Sequence, residues 1–320
     1  MGDPMQPLDP QVQAVVDEVN AVEAKSLWDR PIAEVRADFD ALVRGLGAPG
    51  PQVGRVENRR IPGPHGPIPV RIYWPEGSDN EKPLPVLINF HGSGYVVLGL
   101  DTHDNACRAL CKGAECIVVA VDYRKAPENT FPNPTDDAWA STRWVAKNCA
   151  EFGGDPKRIA VAGDSAGGCL AAVVAQRAKA EGGPPLMFQL LVYPVTDTRE
   201  DTASYRTYAE GYLLTAEIMR WFFDCYFNNE AERATITAAP IRAKDLSGLP
   251  PALVMTASHD PLYDEGVAYA EKLRKVGVPT EYINYQGHIH GFWTATGRFD
   301  VAAKAHAAAV AALRRAFGTA

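Results

Sequence analysis

Three side chains of this sequence can combine into a nucleophilic relay: a serine at 165, an aspartate at 260 and a histidine at 290. Ser165 lies in Gly163-Asp164-Ser165-Ala166-Gly167-Gly168, between an apolar run, Ile159 to Ala162, and an alanine-rich stretch, Cys169 to Ala175. A serine held where a strand turns into a helix is a nucleophile elbow. Small residues two before and two after it let strand and helix approach closely, and the strained turn pushes the hydroxyl out above the sheet. At this content of glycine and serine, chance supplies roughly 0.06 Gly-x-Ser-x-Gly matches, so the pattern and its strand-to-helix setting mark Ser165 as catalytic.

A serine hydroxyl is a poor nucleophile at neutral pH and needs a general base, which in turn needs a carboxylate to orient it. After the apolar run Ala252 to Ala257 comes Ser258-His259-Asp260-Pro261-Leu262, which sets Asp260 just beyond a strand. After Thr280 to Tyr285 comes Gln286-Gly287-His288-Ile289-His290-Gly291-Phe292, which sets His290 in the corresponding loop. Asp264 and Glu265 are rival carboxylates a turn into the next helix, and His259 and His288 are rival bases. Gly291 frees the loop to aim the His290 ring, which favours that residue. The pair His288-x-His290 has metal-ligand spacing, but no further His or Cys cluster completes a three-ligand site, so no metal is expected.

Attack on an acyl carbon creates an oxyanion, which backbone N–H groups can stabilise. One donor is expected from Ala166, at the start of its helix, where N–H groups lack intrahelical partners. The others are expected from His91-Gly92-Ser93-Gly94-Tyr95, a glycine-rich turn directly after the strand Leu84 to Phe90.

The elements that must position these residues alternate from about residue 55. Strand patterns cover Arg55 to Ile61, Ile68 to Trp74, Leu84 to Phe90, Cys116 to Asp122, Arg158 to Ala162, Met187 to Tyr193, Ala252 to Ala257 and Thr280 to Tyr285. Helical patterns cover Thr102 to Gly113, Pro134 to Asn148, Ser165 to Glu181, Leu262 to Val276 and Asp300 to Phe317. Continuous runs such as Ile117-Val118-Val119-Ala120-Val121 suit strands covered on both faces, so the class is α/β with a mostly parallel central sheet flanked by helices. Such sheets hold their chemistry at the carboxyl ends of the strands. Two stretches break the alternation: amphipathic helices at Asp9 to Ala24 and Pro31 to Gly45, and an aromatic-rich segment from 199 to 235. Either they pack as ordinary core helices or they roof the site, with Trp28, Tyr208, Tyr212 and Trp221 as bulky groups.

Of the 320 residues 46% are hydrophobic, enough to fill one large α/β core. A formal net charge of −7 without long blocks of like charge argues against a nucleic-acid partner. No run approaches the 18 apolar residues of a membrane span, and Met1 to Gln6 show neither a basic nor an apolar leader pattern. The six cysteines, 107, 111, 116, 149, 169 and 225, contain no Cys-x-x-Cys and read as reduced thiols of a cytoplasmic protein.

With His91-Gly92-Ser93-Gly94, Asp122-Tyr123-Arg124-Lys125-Ala126-Pro127-Glu128, Gly163-Asp164-Ser165-Ala166-Gly167, Asp260-Pro261-Leu262 and His290-Gly291-Phe292 in order, the chain from about residue 55 resembles the hormone-sensitive-lipase family of microbial carboxylesterases, in its Gly-Asp-Ser-Ala-Gly branch. The resemblance implies an α/β-hydrolase fold with a helical cap, no cofactor, and a small-molecule ester of short to medium acyl chain as substrate. It divides the chain into a first part of the cap (1–50), a first part of the core (51–198), a second part of the cap (199–236) and the rest of the core (237–320). It also implies that Ser93, Gly94 and Ala166 form the oxyanion hole, with His91, Gly92, Asp122, Tyr123, Arg124, Glu128 and Asp164 in support. A homodimer is compatible with it.

Where the family usually has His-Gly-Gly-Gly, this chain has Ser93. A serine is strained there if the position needs positive φ; otherwise its hydroxyl can add a hydrogen bond near the oxyanion. Lys125 replaces a usual leucine, which points to a solvated edge. Beside an esterase stand two alternatives: an amidase or deacetylase on aryl amides with the same triad, and a non-catalytic receptor of the kind that binds gibberellin in plants. Those receptors lack the catalytic histidine that His290 supplies here.

Overall fold

The computed structural model describes residues 7–22, 26–78 and 82–319. Met1 to Gln6, and the Glu23–Ala24 end of the first expected helix, lie outside the described residues. Helices α1 (Pro10–Asn20) and α2 (Ile32–Leu46) precede β1 (Arg55–Ile61), β2 (Ile68–Trp74) and β3 (Leu84–Phe90). Then follow α3 (Asp104–Ala114), β4 (Ile117–Val121), α4 (Asn133–Asn148), β5 (Gly154–Asp164), α5 (Ala166–Ala180) and β6 (Phe188–Val192). The segment after β6 carries α6 (Ala203–Thr207), α7 (Ala216–Tyr226) and α8 (Glu230–Arg233), and β7 (Ala252–His259), α9 (Tyr263–Lys275), β8 (Thr280–Ile289) and α10 (Asp300–Phe317) complete the chain.

The eight strands form one sheet in the order β1-β2-β4-β3-β5-β6-β7-β8. Strand β2 runs antiparallel to both its neighbours, and every other pair is parallel. Alternate residues of the central strands feed two separate cores. Ile88, Phe90, Val119, Val161, Leu191 and Val254 pack on the face covered by α5 and α9. Leu87, Val118, Ala160, Leu190, Leu253 and Met255 pack on the other, against α3 and α10. A strand buried on both sides leaves no polar stripe, which is why these segments read as unbroken apolar runs.

Three strands run past their expected limits, β7 by only two residues, to His259. β5 begins at Gly154, where Leu84 pairs with Gly154 across a bulge, although the charged start of that strand has no apolar pattern. β8 continues to Ile289 through Gly287, whose φ of +73° absorbs a second bulge opposite β7. Pairing of Phe90 with Gly163 and of Asp164 with Val192 brings the ends of β3, β5 and β6 level. The loops after β3, β5, β7 and β8 therefore open on one edge of the sheet.

Candidate active site

The turn between β5 and α5 is fixed by backbone approach. A Cβ on Gly163 would collide with the Gly167 carbonyl, and a Cβ on Gly167 with the Phe90 carbonyl of the neighbouring strand. Within that vice Ser165 adopts φ 56° and ψ −123°, a conformation costly for any side-chain-bearing residue. Its N–H donates to Val192 (2.9 Å) and its carbonyl accepts from Cys169 and Val195 (both 3.1 Å), so the strained turn is held on both sides. Ser165 is 7% exposed; the elbow projects into a cavity, not into bulk solvent.

Three of the expected side chains meet there. His290 Nε2 lies 2.9 Å from Ser165 Oγ, and His290 Nδ1 lies 2.7 Å from Asp260 Oδ2. Asp260 is fully buried, and its other oxygen accepts the Leu262 N–H at 2.9 Å. A carboxylate only accepts, so the ring carries its proton on Nδ1 and offers Nε2 to the serine hydroxyl. Gly291 follows at φ +89° and lets the chain leave without crowding the ring. The rivals are engaged elsewhere: Asp264 accepts the Ser204 N–H (2.8 Å), Glu265 accepts that of Thr196 (2.7 Å), and His259 Nδ1 lies 2.9 Å from Ser258 Oγ. Among the described residues, buried His288 has no partner for Nδ1, and burial pushes its pKa down.

In the loop after β3 the positive φ falls on Gly94 (+53°) and Tyr95 (+66°), not on Ser93. A Cβ on Gly94 would strike the Phe222 ring, so both conformation and space require glycine there. Tyr123 donates its one hydroxyl proton to the His91 carbonyl (2.6 Å). The 2.6 Å contact between Ser93 Oγ and Tyr123 Oη is therefore donated by Ser93, which also accepts the Tyr95 N–H at 2.7 Å. The Ser93 proton is thus committed to the loop's own framework. Among the described residues, none accepts from the N–H of Ser93, Gly94 or Ala166.

The surrounding residues hold this loop. The His91 ring stacks on Tyr123 at 4.4 Å, and Asp164 Oδ1 accepts the Gly92 N–H at 2.9 Å. Lys125 does not stand at a solvated edge: it pairs with Asp122 at 2.8 Å and its side chain is mostly covered. Arg124 takes Asp137 as partner, which also accepts the Arg124 N–H (3.0 Å). Glu128 receives both terminal nitrogens of Arg36 (2.8 and 2.6 Å), and the same guanidinium donates to the carbonyls of Val96 and Ala126 (both 2.9 Å). Arg36 thus ties α2 to the loop, a role carried by no local motif.

Above Ser165 lies a cavity walled by Phe39, Leu42 and Leu46 of α2, by Leu213 and Leu214, and by Phe222 of α7. The four aromatics expected to roof it do not line it. Trp28 is 46% exposed, Tyr208 and Tyr212 pack on His259, and Trp221 is buried in the core. Among the described residues no three His, Cys, Asp or Glu side chains group as a metal site requires, and no helix is long and apolar enough to cross a membrane. All six cysteines are free.

The family model of the alpha/beta hydrolase fold matches residues 87–294. Carboxylesterase NlhH of Mycobacterium tuberculosis is 47% identical over 254 residues, 78% of either chain, and esterase LipI of the same organism is 45% identical over 261 residues, 81% of this chain and 82% of the relative. Among solved structures, an alpha/beta hydrolase from the metagenome of Lake Arreo, Spain, superposes with a TM-score of 0.94 at 40% identity, covering 98% of this chain and 99% of that one. A hyperthermophilic esterase from Pyrobaculum calidifontis gives 0.92 at 39% identity, over 98% of this chain and 100% of the other. The chain belongs to the α/β-hydrolase family, in its hormone-sensitive-lipase-like group of carboxylesterases. It is a carboxylic ester hydrolase, which sets aside the receptor reading.

Proposed function

We propose that the chain hydrolyses short- to medium-chain carboxylic esters by double displacement at Ser165. His290 takes the hydroxyl proton as Ser165 Oγ attacks the acyl carbon, and Asp260 steadies the resulting imidazolium. The same histidine returns the proton to the departing alcohol. Water then attacks the acyl-serine and gives a proton to His290, which returns it to the departing Ser165 Oγ as the acid is released. The continuous contact from Asp260 through His290 to Ser165, 2.7 and 2.9 Å, carries this reading. The unpaired N–H groups of Ser93, Gly94 and Ala166 supply the oxyanion hole, where one missing donor typically costs about 10²- to 10³-fold. The apolar walls contributed by α2 and by residues 213–222 form the cap that bounds the acyl group.

An alkyl p-nitrophenyl phosphonate tests the nucleophile. It should release one p-nitrophenolate per chain and leave one phosphonyl group on Ser165, read by peptide mass spectrometry. A label on another side chain, or turnover that survives complete labelling, overturns the reading.

A further inference from the structure

One buried titratable side chain stands beside the elbow and outside the triad. His103, which leads into α3, is 2% exposed, and its ring nitrogens meet Thr102, Asp164 and the Gly92 N–H. The Thr102 hydroxyl owns one proton; it donates to the Gly99 carbonyl (2.8 Å) and accepts the Gly99 N–H (3.1 Å). At the 3.0 Å contact between Thr102 Oγ1 and His103 Nδ1, the ring must therefore be the donor. Its other nitrogen, Nε2, lies 3.3 Å from Asp164 Oδ2, where a bare lone pair would face a carboxylate lone pair. Protons on both ring nitrogens satisfy both contacts. The Gly92 N–H, 2.9 Å from Asp164 Oδ1 and 3.2 Å from Nε2, then belongs to the carboxylate.

We propose that His103 is a positioning residue: an imidazolium paired with Asp164 beneath the oxyanion loop, so that one charged carboxylate grips Gly92 next to the oxyanion donors and directly precedes the nucleophile. Burial pushes the Asp164 carboxyl up, but the charge and hydrogen bond of His103 and the Gly92 N–H together hold it below its ordinary value. His91, Tyr193 and Cys107, the titratable groups packed around the pair, are kept neutral by burial. A charge-assisted bond is about twice as strong as a neutral one, and a buried carboxylate without a countercharge is costly. The pair therefore locks the loop to the elbow at one point. Its catalytic consequence rests on the Ser165 reading; its protonation does not.

Nitrogen-15 imidazole spectra of the wild-type enzyme at pH 7 read the protonation directly. The His103 ring, assigned through its contact with Thr102, should carry protons on both nitrogens and lose one in Asp164→Asn. A singly protonated ring in the wild type overturns the proposal, whatever the variants do. In turnover, His103→Asn, which keeps the link to Thr102 but not to Asp164, should lower kcat roughly 10- to 100-fold with little change in KM, as for a slightly misplaced catalytic group. His103→Gln, with an N–H still directed at Asp164, should recover part of that loss. Wild-type kcat in His103→Asn also overturns the proposal. If the phosphonate leaves Ser165 unlabelled, the nucleophile assignment fails while the ring spectrum still stands on its own.

Discussion

The floor and the roof of this cavity are built by different physics. The floor, from Gly92 to Gly94 and from Gly163 to Gly168, is positioned by main-chain contacts so close that a single Cβ at Gly163 or Gly167 would collide with a carbonyl. The roof is a stripe of side chains, Phe39, Leu42 and Leu46 one helical turn apart on α2, facing Leu213, Leu214 and Phe222. Phe39 and Phe222 meet at 5.7 Å, but no hydrogen bond fixes either ring. On the proposed reading, reaction chemistry is lodged in backbone geometry, which tolerates almost no substitution, and acyl selectivity in apolar volume, which tolerates many. Changes in the floor should decide whether an ester is cleaved, and changes in the roof which one.

The largest expected effect falls on the floor. Ser165→Ala should lower kcat for p-nitrophenyl butyrate by roughly four to six powers of ten, since triad members act as a unit, while circular dichroism stays that of the wild type. Residual turnover above about a hundredth of wild type would point to another nucleophile.

The scaffold under the floor comes next. His306 of α10 lies edge-on to Trp293 at 4.3 Å and donates to its carbonyl at 3.0 Å, just past the loop that carries His290. Burial pushes its pKa down to about 4, against the weaker opposing effect of that hydrogen bond. Between that value and the ordinary ~6.5 the unfolded chain binds a proton that the folded one refuses, so stability rises with pH across the window. As pH falls from 6.5 to 4, about 3 kcal/mol should be lost. Urea midpoints at pH 7 and 4.5 should differ less for His306→Gln than for the wild type; equal differences would remove His306 from the account.

Roof volume is tested by Phe222→Ala. Each methylene that finds new apolar space gains about 0.8 kcal/mol, roughly four-fold in kcat/KM, so octanoate, with room for about two of its four extra methylenes, should gain roughly fifteen-fold over butyrate. Equal losses at every chain length would instead show that Phe222 serves the loop through Gly94.

The smallest change belongs to Ser93→Gly. The hydroxyl proton is committed to Tyr123 and positive φ already resides at Gly94, so kcat should stay within a few-fold while stability falls by about 1 kcal/mol. A loss near 10²-fold would place that hydroxyl on the oxyanion.

The same contrast explains what could be read from sequence. Gly163, Ser165 and Gly167 are legible because a strand-to-helix turn that tight admits few residue types, and Asp260 and His290 because each follows a strand pattern. His103 and Arg36 were not, since their partners, Asp164 and Glu128, lie far away in the chain and neither residue sits in a motif. The cap aromatics misled for a related reason: Trp221 and Phe222 are neighbours of like character, and only the turn of α7 decides that the second faces the cavity. The β5 and β8 overruns escaped because bulges at Leu84–Val86 and Ala257–His259 break the two-residue period on which strand recognition depends.

The backbone at Ser165, φ 56° and ψ −123°, also sets catalysis against thermal endurance. A side chain held in that region costs on the order of 1–3 kcal/mol, and glycine alone escapes the penalty. On the proposed mechanism the less comfortable residue is required because its oxygen is the nucleophile. Inactive Ser165→Gly should therefore melt above inactive Ser165→Ala in a calorimetric scan, exposing a stability optimum that a functioning lineage cannot occupy.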